Sequence, residues 1–308
     1  MNQLNTLVIL AAGNGSRFGG AKQFACFGKK QLTLMEYNIH HAMDAGFNHV
    51  IFITQASQKA QLKQEVIARL PKSLNVEIVI QSFDILPKNC HVPSTRTKPL
   101  GTAHALWCAK DSISEDFVVI NADDYYGQQA FSMLKQQQTS RPTSDVAHYT
   151  MVAYLMQNTL SEHGSVNRGL CEYNSKMQLQ KITEIENIQQ SIVAGNAIIA
   201  GEISTTKQTI SIADNALVSM NFWAFNSKIF SAIEQKLSNT FTVSADKKTE
   251  CYLPDIVMYQ LEKKQVKVDV LKSEDNWFGV TYAADSLSVG RQIDRIFSPS
   301  KQFKSADI

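Results

Sequence analysis

Short β-branched runs alternate with helical patterns through the first 145 residues of the chain. Residues 6–11, Thr-Leu-Val-Ile-Leu-Ala, are apolar almost throughout, the pattern of a strand buried on both faces. Met35, Ile39, Ala42 and Met43 then recur at helical spacing. Strands are predicted at 50–54, 76–80 and 117–120, and helices at 58–70 and 102–110. Near-continuous apolar strands separated by helices predict a parallel sheet covered on both faces.

Beyond residue 145 the alternation breaks down. Residues 146–156, 169–173, 209–212, 217–225 and 266–271 read as strands, and 228–237, 254–263 and 284–296 as helices. The stretch 189–206 is small and polar and reads as a loop. The expected fold is α/β, a doubly wound, mainly parallel mixed sheet of Rossmann-like type. It divides into a first half, 1–145, a second half, 146–300, and a tail, 301–308.

Composition narrows the function. In 308 residues, 30 Lys and Arg stand against 28 Asp and Glu, a net charge of +2 without a basic stripe. That argues against a nucleic-acid partner. The five cysteines form no CxxC pair, which disfavours a disulfide framework or zinc site and fits a reducing compartment. The apolar run 7–12 is too short for a signal-peptide core, and no run approaches the ~18 residues of a membrane span. The expected location is cytoplasmic, with no membrane partner.

The chemistry concentrates in Leu10-Ala11-Ala12-Gly13-Asn14-Gly15-Ser16-Arg17-Phe18-Gly19-Gly20-Ala21-Lys22-Gln23, directly after the first strand. Glycines let successive backbone N–H groups converge on an anion, and Arg17 and Lys22 add two cations suited to several phosphates. Phe18 breaks a GxGxxG dinucleotide fingerprint begun at Gly13. A P-loop from Gly15 would carry Ala21 and Lys22 in place of its Lys and Ser/Thr. In a sheet ordered 3-2-1-4, the first and fourth strands flank the switch point, so this loop and Asp123 face each other across one cleft.

The loop resembles the LAAGxGxRxG…K(Q) signature of nucleotidyltransferases that activate sugar phosphates and related alcohols. Lys98-Pro-Leu-Gly101-Thr102-Ala-His104-Ala, Asn121-Ala-Asp123-Asp124, Ser219-Met-Asn221-Phe and Glu250-Cys-Tyr-Leu-Pro-Asp-Ile resemble later motifs of that family, in its order. The resemblance spans residues 5–285 and implies a GT-A-like fold. It implies NMP transfer from an NTP to a sugar 1-phosphate or similar phosphorylated alcohol, releasing pyrophosphate. The first half would then hold nucleotide and the second half the acceptor.

Under that resemblance Ala11, Ala12, Gly13, Asn14, Gly15 and Ser16 line the phosphates, with Arg17, Lys22 and Asp123 catalytic. Gln81, Gly101 and Thr102 hold the base, although Gln81 also reads as a polar strand terminus. Asp123 and Asp124 are the magnesium ligands, unless one of them caps the helix beginning near Gly127. Gly169, Glu184, Asn221 and Lys248 face the acceptor. Glu184 also fits an alternating surface strand, and Lys248 with Glu250 also fits a capping arrangement before Pro254. Thr281 falls where many relatives carry a second metal-binding residue, leaving Asp275 or Asp285 as substitutes. His104, Trp107, Trp223 and Trp277 read as structural. A nucleotide or sugar sensor and a GT-A glycosyltransferase are the alternative functions.

Overall fold

The computed structural model describes residues 4–13, 22–139, 146–161, 164–193, 195–242, 248–280 and 285–297. Its elements begin with β1 (Thr6–Leu10), β2 (Cys26–Phe27), β3 (Leu32–Thr33), α1 (Leu34–Asp44), β4 (His49–Thr54), α2 (Lys59–Glu65) and β5 (Asn75–Ile80). There follow α3 (Thr102–Cys108), β6 (Phe117–Asn121), β7 (Asp124–Tyr125), α4 (Gln128–Thr139), β8 (Ala147–Leu155) and β9 (Val166–Tyr173). The chain continues through β10 (Leu179–Val193), β11 (Asn196–Ile203), β12 (Thr209–Ile212), β13 (Leu217–Phe225) and α5 (Ile229–Thr240). It closes with α6 (Leu253–Glu262), β14 (Val266–Ser273), β15 (Phe278–Gly279) and α7 (Asp285–Ile296).

One mixed sheet runs β12-β11-β10-β9-β13-β6-β1-β4-β5, with β8 joined to β13 and β14 to β8. The first four long strands thus lie in the expected order, third-second-first-fourth. Parallel pairing joins β5, β4, β1 and β6, and also β8 with β14; the other pairings of this sheet are antiparallel.

Alternation along β1 explains why the sheet is covered twice. Leu7 and Ile9 face one core with α1 and α4, whereas Val8 faces another with α3, α5 and α6. On α5, Ile229, Ile233 and Leu237 recur four apart and are all fully buried. Truncating Ile233 to Ala would cost about 2–5 kcal/mol. Helix α1 starts at a capping box, in which the Glu36 N–H donates to Thr33 Oγ1 at 3.3 Å and the Thr33 N–H to Glu36 Oε2 at 2.8 Å.

A third, smaller core seats the site. Tyr125 of β7 stacks on Phe278 of β15 at 4.6 Å, and Val280, Val289 and Ile293 complete the cluster with Phe27 and Tyr37.

Residues 189–206 are not a loop. They lie mostly in the β10–β11 hairpin, which then pairs with β12. Ile188 and Ile199 reach the core while Gln189, Gln190, Ser191 and Ile192 are exposed, so the strands carry little apolar patterning. The predicted 58–70 helix is shorter, ending at Glu65 before a 3-10 turn at Ile67–Arg69. Among the described residues no helix is long and apolar enough to cross a membrane. The tail, 301–308, lies outside the described residues.

Candidate active site

The cleft opens where β1 and β6 end side by side, Leu10 opposite Asn121. Ala11 and Ala12 are buried behind this edge, and Gly13 is exposed with nothing within 4 Å of an added Cβ. The loop's first carbonyls are held from behind. Gln55 Nε2 donates to the Ala12 carbonyl at 2.7 Å, and Gln23 Nε2 to those of Ala11 and Gly13 at 3.4 Å. Asn14, Gly15, Ser16 and Arg17 lie outside the described residues.

Lys22 re-enters the cleft and meets the far side. Its ammonium pairs with Asp123 and donates to the Val280 carbonyl at 3.2 Å. Both side chains of this pair are 25% exposed, so the charges meet at a solvent-reachable edge. The sequence-based expectation that the loop and Asp123 face one another is borne out through Lys22.

Asp124 points inward instead. It is buried, and its Oδ2 accepts from Asn121 Nδ2 at 2.8 Å with the Tyr126 hydroxyl at 3.1 Å. Burial, then the neighbouring Asp123 charge, pushes its carboxyl up to about 7. Asn38 of α1 fixes the turn, donating to the Asp124 carbonyl at 2.6 Å and accepting from the Tyr126 N–H at 3.0 Å. The residue that caps α4 is Asp275, whose carboxylate accepts the Gln129 N–H at 2.8 Å.

The prospective base edge lies at the end of β5. His104 Nε2 meets the Ile85 carbonyl at 3.0 Å, so its Nδ1 accepts from Gln81 Nε2 at 3.1 Å. Burial draws the imidazole down to about 4, keeping it neutral. Gln81 Nε2 also approaches the Gly101 carbonyl at 3.4 Å. Gly101 precedes α3 at φ 96°, and Thr102 Oγ1 accepts the Leu253 N–H at 3.0 Å. This edge is therefore stitched to the start of α6.

On the opposite wall, Glu184, Gly169 and Ser219 are neighbours across β10, β9 and β13. Asn221 sits in a β13 irregularity at φ 59°, its amide donating to Asn121 Oδ1 at 2.7 Å. Glu250 pairs with Lys98 and accepts from the Tyr252 hydroxyl at 2.8 Å, whereas Lys248 is exposed.

Residues 6–285 match the family model described as nucleotidyl transferase. The chain belongs to the nucleotidyl transferase family. No curated protein matches it in sequence. Among solved structures it is similar to an inositol-1-phosphate CTP transferase from T. maritima. That likeness has a TM-score of 0.62 over 97% of this chain and 99% of the other, at 15% identity, and it is one of fold.

In this nucleotidyl transferase the structure adds residues that the motifs alone did not single out. Asn121 links Asp124 to Asn221, Tyr126 reaches the Met220 carbonyl at 2.9 Å, and Gln23 and Asn38 hold backbone. Asn121 and Gln23 stand inside recognised motifs, so their position was their signal. Trp107, Trp223 and Trp277 are buried, as expected. Thr281 lies outside the described residues, Asp275 serves α4, and Asp285 is buried at the start of α7. Among the described residues no group of three or more His, Cys, Asp or Glu side chains is gathered for a metal.

Proposed function

We propose that the chain transfers a nucleotidyl group from a nucleoside triphosphate to a sugar 1-phosphate or comparable phosphorylated alcohol, releasing pyrophosphate. The observation that carries this reading is the Lys22–Asp123 pair across the ends of β1 and β6. It sets a cation for phosphate beside a carboxylate for a metal, at the switch point of the sheet.

An acceptor phosphate oxygen bonds to the α-phosphorus, and the bond from that phosphorus to the β-phosphate oxygen breaks. The electron pair leaves with pyrophosphate. The acceptor is already anionic, so no protein nucleophile is required. Lys22 holds the β- and γ-phosphates and stabilises the departing charge. By the family resemblance Arg17 and the backbone from Ala11 to Ser16 share that task. Gln81, its amide nitrogen committed to His104, presents its carbonyl to a base N–H beside Gly101 and Thr102. Glu184, Gly169, Asn221 and Lys248 orient the acceptor.

The donor set fits magnesium, which takes one or two carboxylates and completes its shell with phosphate oxygens and water. Asp123 is part-exposed and aimed at the cleft, with Asp124 behind it. When bound, the ion neutralises charge on the reacting phosphates. The proposed location is the cytoplasm.

The test is pyrophosphate release with four NTPs, magnesium and a panel of sugar and polyol phosphates. Release that needs both substrates, lowered roughly 10²-fold or more by Lys22→Ala, supports the reading. Tight NTP binding without release in any combination overturns it in favour of a sensor.

A further inference from the structure

The Lys22 ammonium is held at two points. It pairs with the Asp123 carboxylate and donates to the Val280 carbonyl at 3.2 Å. Val280 also donates its N–H to the Asp123 carbonyl at 3.4 Å. The backbone of one residue therefore brackets both members of the pair.

Both sides of this bracket are anchored. Val280 is buried in the third core, where Phe278 stacks on Tyr125 and Gly279 lies opposite Asp124 in the β7–β15 pairing. A Cβ on Gly279 would come within 2.5 Å of Asp124 Oδ1, so β15 presses on the second carboxylate as well. On the other side, Lys22 opens the 3-10 turn Lys22–Phe24, whose Gln23 and Phe24 are buried. The lysine stem thus starts from a fixed backbone and ends on a fixed carbonyl. An exposed ion pair gains little because two long side chains must be ordered for it. Here the fold has already supplied most of that order.

The consequence concerns the ion that Asp123 is proposed to hold. Lys22 and Asp123 together are neutral, and among the described residues no third His, Cys, Asp or Glu is gathered with Asp123 and Asp124. A divalent cation arriving alone would exchange tightly held water for a carboxylate that already has its counter-charge. It would also stand beside an ammonium of like sign. A polyphosphate removes both obstacles, because its oxygens ligate the ion and offer the ammonium several anionic acceptors.

We propose that Lys22 is a lock on Asp123, excluding a free divalent cation and releasing the carboxylate when phosphate oxygens take the ammonium. This rests on the assignment of Asp123 to a metal and of Lys22 to phosphate in the transferase reading. Metal and polyphosphate then enter as a pair, and each raises the affinity for the other by the same factor. The Val280 carbonyl keeps the ammonium at the cleft edge in both arrangements.

The experiment is calorimetric titration with manganese(II) chloride, without nucleotide or acceptor. The proteins are the wild type, Lys22→Met, Asp123→Asn and the double variant Lys22→Met/Asp123→Asn. Methionine keeps much of the lysine stem, and an unchanged melting temperature checks the fold; Lys22→Gln serves as a second variant. Lys267→Met removes the same charge from an exposed position on β14 and controls for net charge. The lock predicts that Lys22→Met and Lys22→Gln bind manganese at least tenfold more tightly than wild type. Lys267→Met should not, and the gain should vanish in the double variant. Unchanged or weaker binding in both Lys22 variants, an equal gain in Lys267→Met, a gain that survives Asp123→Asn, or no binding in any variant overturns the proposal. These affinities are read without turnover, whereas the transferase reading fails on pyrophosphate release, so the two failures are distinguishable.

Discussion

The side-chain amide of Asn221 donates to Oδ1 of Asn121 at 2.7 Å, joining two motifs 100 residues apart. Asn121 in turn donates to Asp124 at 2.8 Å, and Trp223 Nε1 donates to Asn221 Oδ1 at 3.1 Å. One polar relay therefore ties the end of β6 to the irregular middle of β13. It also explains why Asn suits position 221, since the backbone there is left-handed at φ 59° and Asn tolerates that region.

Asn221→Ala removes the bridge and places a residue with a Cβ and no compensating amide at positive φ. A loss of about 1–3 kcal/mol is expected, read as a lowered denaturant midpoint. Asn221→Gly removes the bridge but accepts the backbone, so it should unfold later than the alanine variant. Both variants should raise the KM for the acceptor. Wild-type acceptor kinetics in Asn221→Gly would show that the bridge plays no part in the site.

Gly101 teaches a different lesson. A Cβ there would lie 2.8 Å from the Cys251 nitrogen and nearer still to its carbonyl, and φ is 96°. The Ala103 N–H donates to the Cys251 carbonyl at 3.0 Å, and the Cys251 N–H to that of Leu100 at 2.8 Å. The glycine allows two backbones to meet, whatever it does for a base. Gly101→Ala should therefore destabilise the whole chain by more than the ~1–2 kcal/mol of left-handed strain alone, because backbone must move. Thermal melting without any nucleotide measures this. An unchanged melting temperature with weakened NTP binding would assign Gly101 to the ligand alone.

Local signals explain what the sequence made legible. The strand order and the double covering of the sheet follow from apolar runs such as residues 6–11, which leave a strand no exposed face. The meeting of Lys22 with Asp123 follows from that order and the motifs. The β10–β11 hairpin was illegible because its exposed strands bury too little to show a period. Asp275 capping α4 from beyond β14 was illegible for another reason: nothing local marks a cap supplied from 146 residues away.

Asp124 makes a pH-dependent contribution whose sign can be fixed. Burial and the Asp123 charge raise its carboxyl from 3.8 to about 7. Over that window the folded chain keeps a proton that the unfolded chain releases. Folding therefore takes up a proton, and this contribution to stability is full below 3.8 and is lost as pH rises towards 7. Asn in its place still offers an oxygen to Asn121 and Tyr126 but does not titrate. Relative to wild type, Asp124→Asn should gain stability as pH rises from 4 to 7 and level off above, in urea titrations with chelator present. A pH-independent difference would show that Asp124 is ionised throughout.

Gly169 tests which wall of the cleft meets the acceptor. Its φ lies outside the left-handed region, so an alanine there brings no backbone strain. The added Cβ would lie 3.3 Å from Glu184 Oε1, the end of a side chain that can turn aside, and 2.6 Å from Ile182 Cγ2, a methyl on a stiff β-branched carbon that has to shift. Overpacking of this kind costs about 1–3 kcal/mol, set by how far Ile182 must shift. Turning Glu184 moves the carboxylate proposed to read the acceptor's hydroxyls, and a displacement of about 1 Å lowers rate on the order of 10²-fold. Gly169→Ala should therefore lower kcat/KM for the acceptor strongly and the melting temperature by a few degrees, while NTP binding of the folded protein changes little. Glu184→Gln in the same assay should lose the acceptor without any packing change. If Gly169→Ala instead impairs NTP binding and acceptor use equally, the wall formed by β9 and β10 is not the acceptor's side of the cleft.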